Sequence, residues 1–100
     1  MNLPKPVAAY FAADVCPECF APDAVVRDEG KTHQGRAAIQ QWQEASAQAY
    51  QATNEPVSAE SKDGKLIVTS RVSGNFPGSP VNLAFAFRVV EDQIVELEIQ

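Results

Sequence analysis

Two features of the chain could carry chemistry by residue type and spacing alone. Cys16-Pro17-Glu18-Cys19 has the two-residue gap of thiol-redox and zinc-binding pairs, and His33 is the only histidine. A redox pair holds a low-pKa thiolate at a helix N-terminus that follows a strand. Here a helical pattern precedes the pair and a strand pattern follows it, so the context is reversed. A structural zinc takes four ligands, and two cysteines with one histidine fall short unless two chains each contribute a cysteine pair. The favoured reading is two free or buried thiols in a reducing compartment, with no metal bound. Histidine is the side chain whose unperturbed pKa, about 6.5, suits acid–base work near neutral pH. Its place in a polar turn near Lys31 reads first as a solvated side chain or a cap for the next helix, and second as an acid or base. The chain has no glycine-rich phosphate loop, Ser/His/Asp set or metal-binding acidic cluster. No cofactor is implied.

The elements that would position these residues follow from periodicity. A chain of 100 residues makes one domain. After Pro4 and Pro6, Val7, Tyr10, Phe11 and Asp14 recur at helical spacing, which predicts a short helix with Tyr10 and Phe11 on its packed stripe. Pro17 interrupts it. Residues 20–23 read as a turn and residues 24–29 as a short strand ended by Gly30. The clearest helix runs from Arg36 to about Gln51, free of Gly and Pro and rich in Ala, Gln and Glu. Ile39, Trp42, Ala45/Ser46, Ala49 and Tyr50 mark its expected buried stripe. Asn54-Glu55-Pro56 then turns the chain.

From Val57 onward the period changes to two. Residues 57–62 and 65–73 flank the hairpin signal Asp63-Gly64. Residues 81–90 and 93–99 flank Glu91-Asp92, and Gly74–Pro80 forms a longer turn. These strands predict a four-stranded antiparallel meander, with Leu66, Val68 and Val72 on one face. Val81, Leu83, Phe85, Phe87 and Val89 share a face of the third strand, and Val95, Leu97 and Ile99 a face of the fourth. Arg71 and Arg88 should project from the opposite faces. Helices followed by a meander indicate an α+β fold in which the long helix covers the sheet.

Charge excludes some partners. The net charge is −5, and Lys31, Arg36, Arg71 and Arg88 are dispersed, so no basic face is available for nucleic acid. No apolar run approaches the roughly 18–20 residues that span a bilayer. Residues 1–14 lack a charged leader region and a clear cleavage site, and a cytoplasmic protein is expected. Fifteen alanines make for a modest core, and a second subunit would bury more surface. A homodimer is therefore expected, with Val68, Val72, Leu83 and Val95 on the sheet and some of them at the interface.

The stretch Phe20-Ala-Pro-Asp-Ala-Val-Val-Arg-Asp28, followed by Gly35-Arg-Ala-Ala-Ile39 and Trp42, resembles the nuclear transport factor 2-like (SnoaL-like) superfamily, and the pattern covers nearly the whole chain. The resemblance implies a cone-like curved antiparallel sheet wrapped around the long helix and a short N-terminal helix. It departs in one place. Relatives carry a second short helix before the Phe-Ala-x-Asp motif, whereas Val15–Cys19 has room for one turn, which predicts a shallower or more open cone.

By alignment with the ketosteroid isomerases of that superfamily, Asp28 falls at the position of the proton-abstracting base and Tyr10 at that of the oxyanion-stabilising Tyr. The third group, a protonated carboxyl, has no counterpart; its place falls near Phe85. The alternative for Asp28 is a structural hydrogen bond or ion pair, with Tyr10 simply packed. An Asp28–His33 pairing at the cone mouth is the other catalytic arrangement. The resemblance also makes Tyr10, Phe11, Trp42, Phe85 and Phe87 candidates for the wall of a ligand cavity, with Phe76 among the large aromatics nearby. Three functions follow: a homodimer holding a small apolar or weakly polar molecule, an isomerase, cyclase or hydratase with Asp28 as base, and a protein-binding module using the sheet face. Fold alone does not choose among them.

Overall fold

The computed structural model describes residues 2–13 and 15–100, so Asp14, assigned above to the first helix, lies outside the described residues. The chain runs α1 (Lys5–Ala12), a single 3-10 turn (Pro17–Cys19), β1 (Phe20–Asp28), β2 (Lys31–Gln34), α2 (Arg36–Tyr50), β3 (Thr53–Lys62), β4 (Lys65–Ser73), β5 (Val81–Val90) and β6 (Gln93–Ile99). The strands form one curved, unclosed sheet in the order β2-β1-β6-β5-β4-β3. The fold is the expected α+β cone, with the single turn expected between α1 and β1.

The expected four-stranded antiparallel meander is β3–β6, and β1 and β2 extend it to a six-stranded sheet that is mixed rather than antiparallel throughout. β1 and β2 form their own hairpin, whose two turn residues, Glu29 and Gly30, both have positive φ (53° and 74°), the conformation that matches strand twist. β1 then joins β6 in parallel, which places the Asp28 end of β1 against the meander. Two strands also start earlier than expected. Phe20–Asp23 is strand, with the irregular pairing around Pro22 falling between Phe20 and Val25. Pro56 lies within β3, at the sheet edge and beside a register shift, where a missing N–H costs no ladder bond.

Phe20, Val26, Ile39, Val68, Phe87, Ile94 and Leu97 are fully buried and make the centre of the core. Val68 and Val72 therefore face inward, which removes them from the interface residues proposed for a dimer. Ile94, rather than Val95, takes the central place on β6 because the β5–β6 register shifts between Arg88 and Val89. On α2 the buried residues are Ile39 and Gln43, with Trp42, Ser46 and Tyr50 half-buried and Ala45 and Ala49 exposed. The helix rests on β1 and β2 rather than spanning the sheet, so its remaining inward residues border open space.

Cys16 and Cys19 are joined in a disulfide, which corrects the expectation of free thiols. The one-turn segment brings their Cα atoms to 5.5 Å, within bonding range. The Cys16 backbone N–H donates to buried Gln43 Oε1 at 3.0 Å and ties this turn to α2. Arg71 and Arg88 are both exposed, as expected.

Candidate functional site

Alternation along β1 sends Ala24, Val26 and Asp28 to the same face, and the first two are fully buried. Asp28, the last residue of the strand, reaches the rim of the core and is half-buried. Trp42, three residues beyond the buried Ile39 on α2, donates its Nε1–H to Asp28 Oδ2 at 3.1 Å. Burial pushes the Asp28 pKa up and the Glu29 charge adds to this, while the Trp42 hydrogen bond and His33 pull the other way. The net direction is upward, toward a stronger base.

Tyr10 comes from α1. Its ring meets Phe20, Phe85 and Phe87 edge-on, with centroids 6.1, 6.2 and 5.5 Å away. Burial, and then the Asp28 charge, raises the phenol pKa well above its ordinary range. The hydroxyl stays protonated at neutral pH and is a donor.

Asp28 and Tyr10 share the wall of a cavity of about 440 Å³ with Trp42 and Phe85, a size suited to a small organic molecule. A second, smaller hollow of about 270 Å³ adjoins it, separated by residues common to both, Tyr10 and Trp42 among them. Phe11 borders the smaller hollow only. Phe87 borders neither, being fully buried behind Tyr10, and belongs to the core rather than to a ligand wall. His33 also borders neither. It stacks on Trp42 at 5.9 Å and 28° and acts on Asp28 through charge, with no hydrogen bond between them among the described residues.

Phe76, one of the large aromatics expected near the cavity, does line it, whereas Glu29, Tyr50 and the turn residues Pro77 and Gly78 went unassigned in the sequence as site residues. Tyr50 donates its hydroxyl to Glu29 Oε1 at 3.3 Å, and Phe76 packs edge-on against Tyr50 at 5.9 Å. The β4–β5 turn is fastened there by Asn75 N–H donating to the Tyr50 carbonyl at 2.7 Å. Gly74 permits this approach, because a Cβ on it would stand 2.6 Å from that carbonyl oxygen. Asp63-Gly64 could be read locally, whereas Glu29, expected at the end of the strand, is a turn residue; a turn fastened to a helix end distant in sequence could not be read at all. Among the described residues, no group of three His, Cys, Asp or Glu side chains could hold a metal ion, and no helix is long and apolar enough to cross a membrane.

Residues 7–97 match the SnoaL-like domain family. The chain is a SnoaL-like domain. It belongs with the NTF2-like proteins, to which its similar solved structures also point. One of these, a Sinorhizobium meliloti protein provisionally named a polyketide cyclase, is 45% identical over 98% of this SnoaL-like domain and 95% of that chain, with a TM-score of 0.91. A Catenulispora acidiphila protein with a ketosteroid isomerase-like fold, solved with trimethylamine, is 20% identical over 99% and 86% of the two chains (TM-score 0.83). The epoxide hydrolase/cyclase-like enzyme SalBIII, of pyran ring formation in salinomycin, is 24% identical over 95% and 86% (TM-score 0.79). At these identities the last two show a shared fold alone. Among curated proteins, none matches this chain.

Proposed function

We propose that this SnoaL-like domain binds a small, mostly apolar molecule in its cone and moves a proton on it, with Asp28 as general base and Tyr10 as hydrogen-bond donor. The observation that carries the proposal is the Asp28 carboxylate at the wall of an aromatic cavity, one oxygen held by Trp42 and the neighbouring phenol kept protonated. In the step envisaged, Asp28 takes a proton from a carbon next to a carbonyl. The C–H electron pair moves to the carbonyl oxygen, and Tyr10 donates to the resulting enolate. Where the enolate is conjugated with a carbon–carbon double bond, Asp28 returning the proton to the far carbon of that bond gives isomerisation; attack of the enolate carbon on a second carbonyl gives ring closure, with the new alkoxide taking the proton back from Asp28. The name of the 45%-identical relative is consistent with the latter class.

A positioned base contributes about 10²–10⁴-fold, and one oxyanion donor about 10²–10³-fold. Phe85 favours a second reading, binding without turnover, because it lines the cavity beside Tyr10 and offers no second donor. Deuterium exchange at the carbons flanking the carbonyl of 2-tetralone, followed by NMR in D2O, separates the two. The general-base reading expects exchange faster than in buffer, lost in Asp28→Asn and reduced in Tyr10→Phe. Ligand line broadening without accelerated exchange would leave a binding protein and end the catalytic proposal.

A further inference from the structure

The charges and rings around the larger cavity have a one-sided character. Its wall includes five aromatic side chains, Tyr10, Trp42, Tyr50, Phe76 and Phe85, and two carboxylates, Asp28 and Glu29. Among the described residues, no Lys, Arg or His side chain lines it, and the chain as a whole carries a net charge of −5. An aromatic face is electron-rich and attracts a cation placed over it, more strongly where water is excluded. Among ligands of equal shape, a cavity of this composition repels an anion and favours an organic cation over a neutral molecule.

The carboxylates and rings are also arranged along an axis. Asp28, Tyr10 and Phe85 lie on the inner side, where Phe85 is buried and touches Tyr10. Glu29, Tyr50 and Phe76 meet at the mouth through the 3.3 Å hydrogen bond and the edge-on ring contact described above. Glu29 is held there by its left-handed backbone (φ 53°) in the β1–β2 turn and by the Tyr50 hydroxyl. His33 stacks on Trp42 and does not line the cavity, and Lys31, the cross-strand partner of Asp28, is exposed and does not line it either. The charge complement at the mouth is therefore unbalanced by any cation lining the cavity.

We propose that the ligand of this cavity carries an alkylammonium group, held at the mouth by the Glu29 carboxylate and the Tyr50 and Phe76 rings, with its apolar body directed inward to Asp28 and Tyr10. This rests on the reading of the cavity as a small-molecule site, and it adds the charge and the orientation of the molecule. Both carboxylates would then have separate tasks, Glu29 in anchoring and Asp28 in proton transfer.

Three probes of nearly the same shape test it by calorimetry at low salt, where an exposed ion pair is least screened: choline, the neutral 3,3-dimethylbutan-1-ol and the anionic 3,3-dimethylbutanoate. The expected result is choline binding about tenfold more tightly than the alcohol, with the carboxylate weakest. Glu29→Gln should lower choline affinity several-fold and leave the alcohol unchanged; Phe76→Leu, which keeps an apolar surface, should do the same through the lost ring. Alcohol binding equal to or tighter than choline overturns the ammonium proposal and leaves a small-molecule site in place. Choline preference that survives in both variants overturns the assignment to the mouth. Failure of every probe to bind at millimolar concentration also overturns the ammonium proposal, and the tetralone exchange then decides separately whether the cavity acts on neutral molecules.

Discussion

Replacing Trp42 with Phe removes the indole N–H that reaches Asp28 Oδ2 and keeps most of the ring. Hydrogen bonds to charged groups are worth about 1.5–3 kcal/mol in stability. Asp28 is only half-buried, so water can replace part of that, and a loss of about 1–2 kcal/mol is expected at pH 7. For a domain of this length the melting temperature should fall on the order of 5–15 °C. The pH dependence distinguishes this bond from lost ring packing. Burial raises the Asp28 pKa above its ordinary 3.8, so the folded chain takes up the proton more readily than the unfolded chain. Its protonation favours the fold below 3.8, and that contribution is lost as pH rises through the folded-state value. Without the Trp42 donor the folded-state value rises further and the loss grows. The deficit of Trp42→Phe should therefore be larger at pH 7 than at pH 3.5, whereas lost packing is the same at both. Urea unfolding followed by circular dichroism measures it, because Trp42 is the only tryptophan and fluorescence would vanish with it. A deficit equal at the two pH values would refute the claim that this bond steadies the Asp28 charge.

Other substitutions read the remaining parts of the site. Asp28→Asn keeps an oxygen for Trp42 and removes the burial penalty on the charge, so it should be as stable as the parent or slightly more so at pH 7 by urea denaturation, while abolishing tetralone exchange. Gly74→Ala places a methyl 2.6 Å from the Tyr50 carbonyl oxygen and should cost about 1–3 kcal/mol, seen as a lower urea midpoint. Gln43→Leu leaves the Cys16 N–H without its acceptor and should cost about 1–3 kcal/mol by the same measurement.

The helices and the meander were legible because each rests on local pattern. The 65–73, 81–90 and 93–99 strands and the 36–50 helix follow from period and from Asp63-Gly64 and Glu91-Asp92. The parallel β1–β6 pairing left no trace, since it joins residues about seventy apart through backbone bonds that any side chains could make. Pro22 and Pro56 misled for a related reason: proline breaks a central strand but is tolerated at edges and irregularities, and edge position is a property of the whole sheet. Tyr10, Asp28, Trp42 and Phe85 could be placed on inward faces from periodicity together with the family resemblance. Glu29 and Tyr50 could not, because what brings them together is a hairpin turn meeting the end of a helix twenty-one residues later. The disulfide was misjudged because the thiol reading rested on an assumed reducing compartment, while a one-turn segment sets the sulfurs within reach of each other.

The carboxyl carbon of Asp28, titrated by NMR with and without saturating 2-tetralone, tests most directly whether this side chain is a base in the wall of a ligand cavity. The account predicts a midpoint above the ordinary aspartate value that moves higher still when the ligand displaces water. A midpoint at or below that value, unmoved by the ligand, would contradict it.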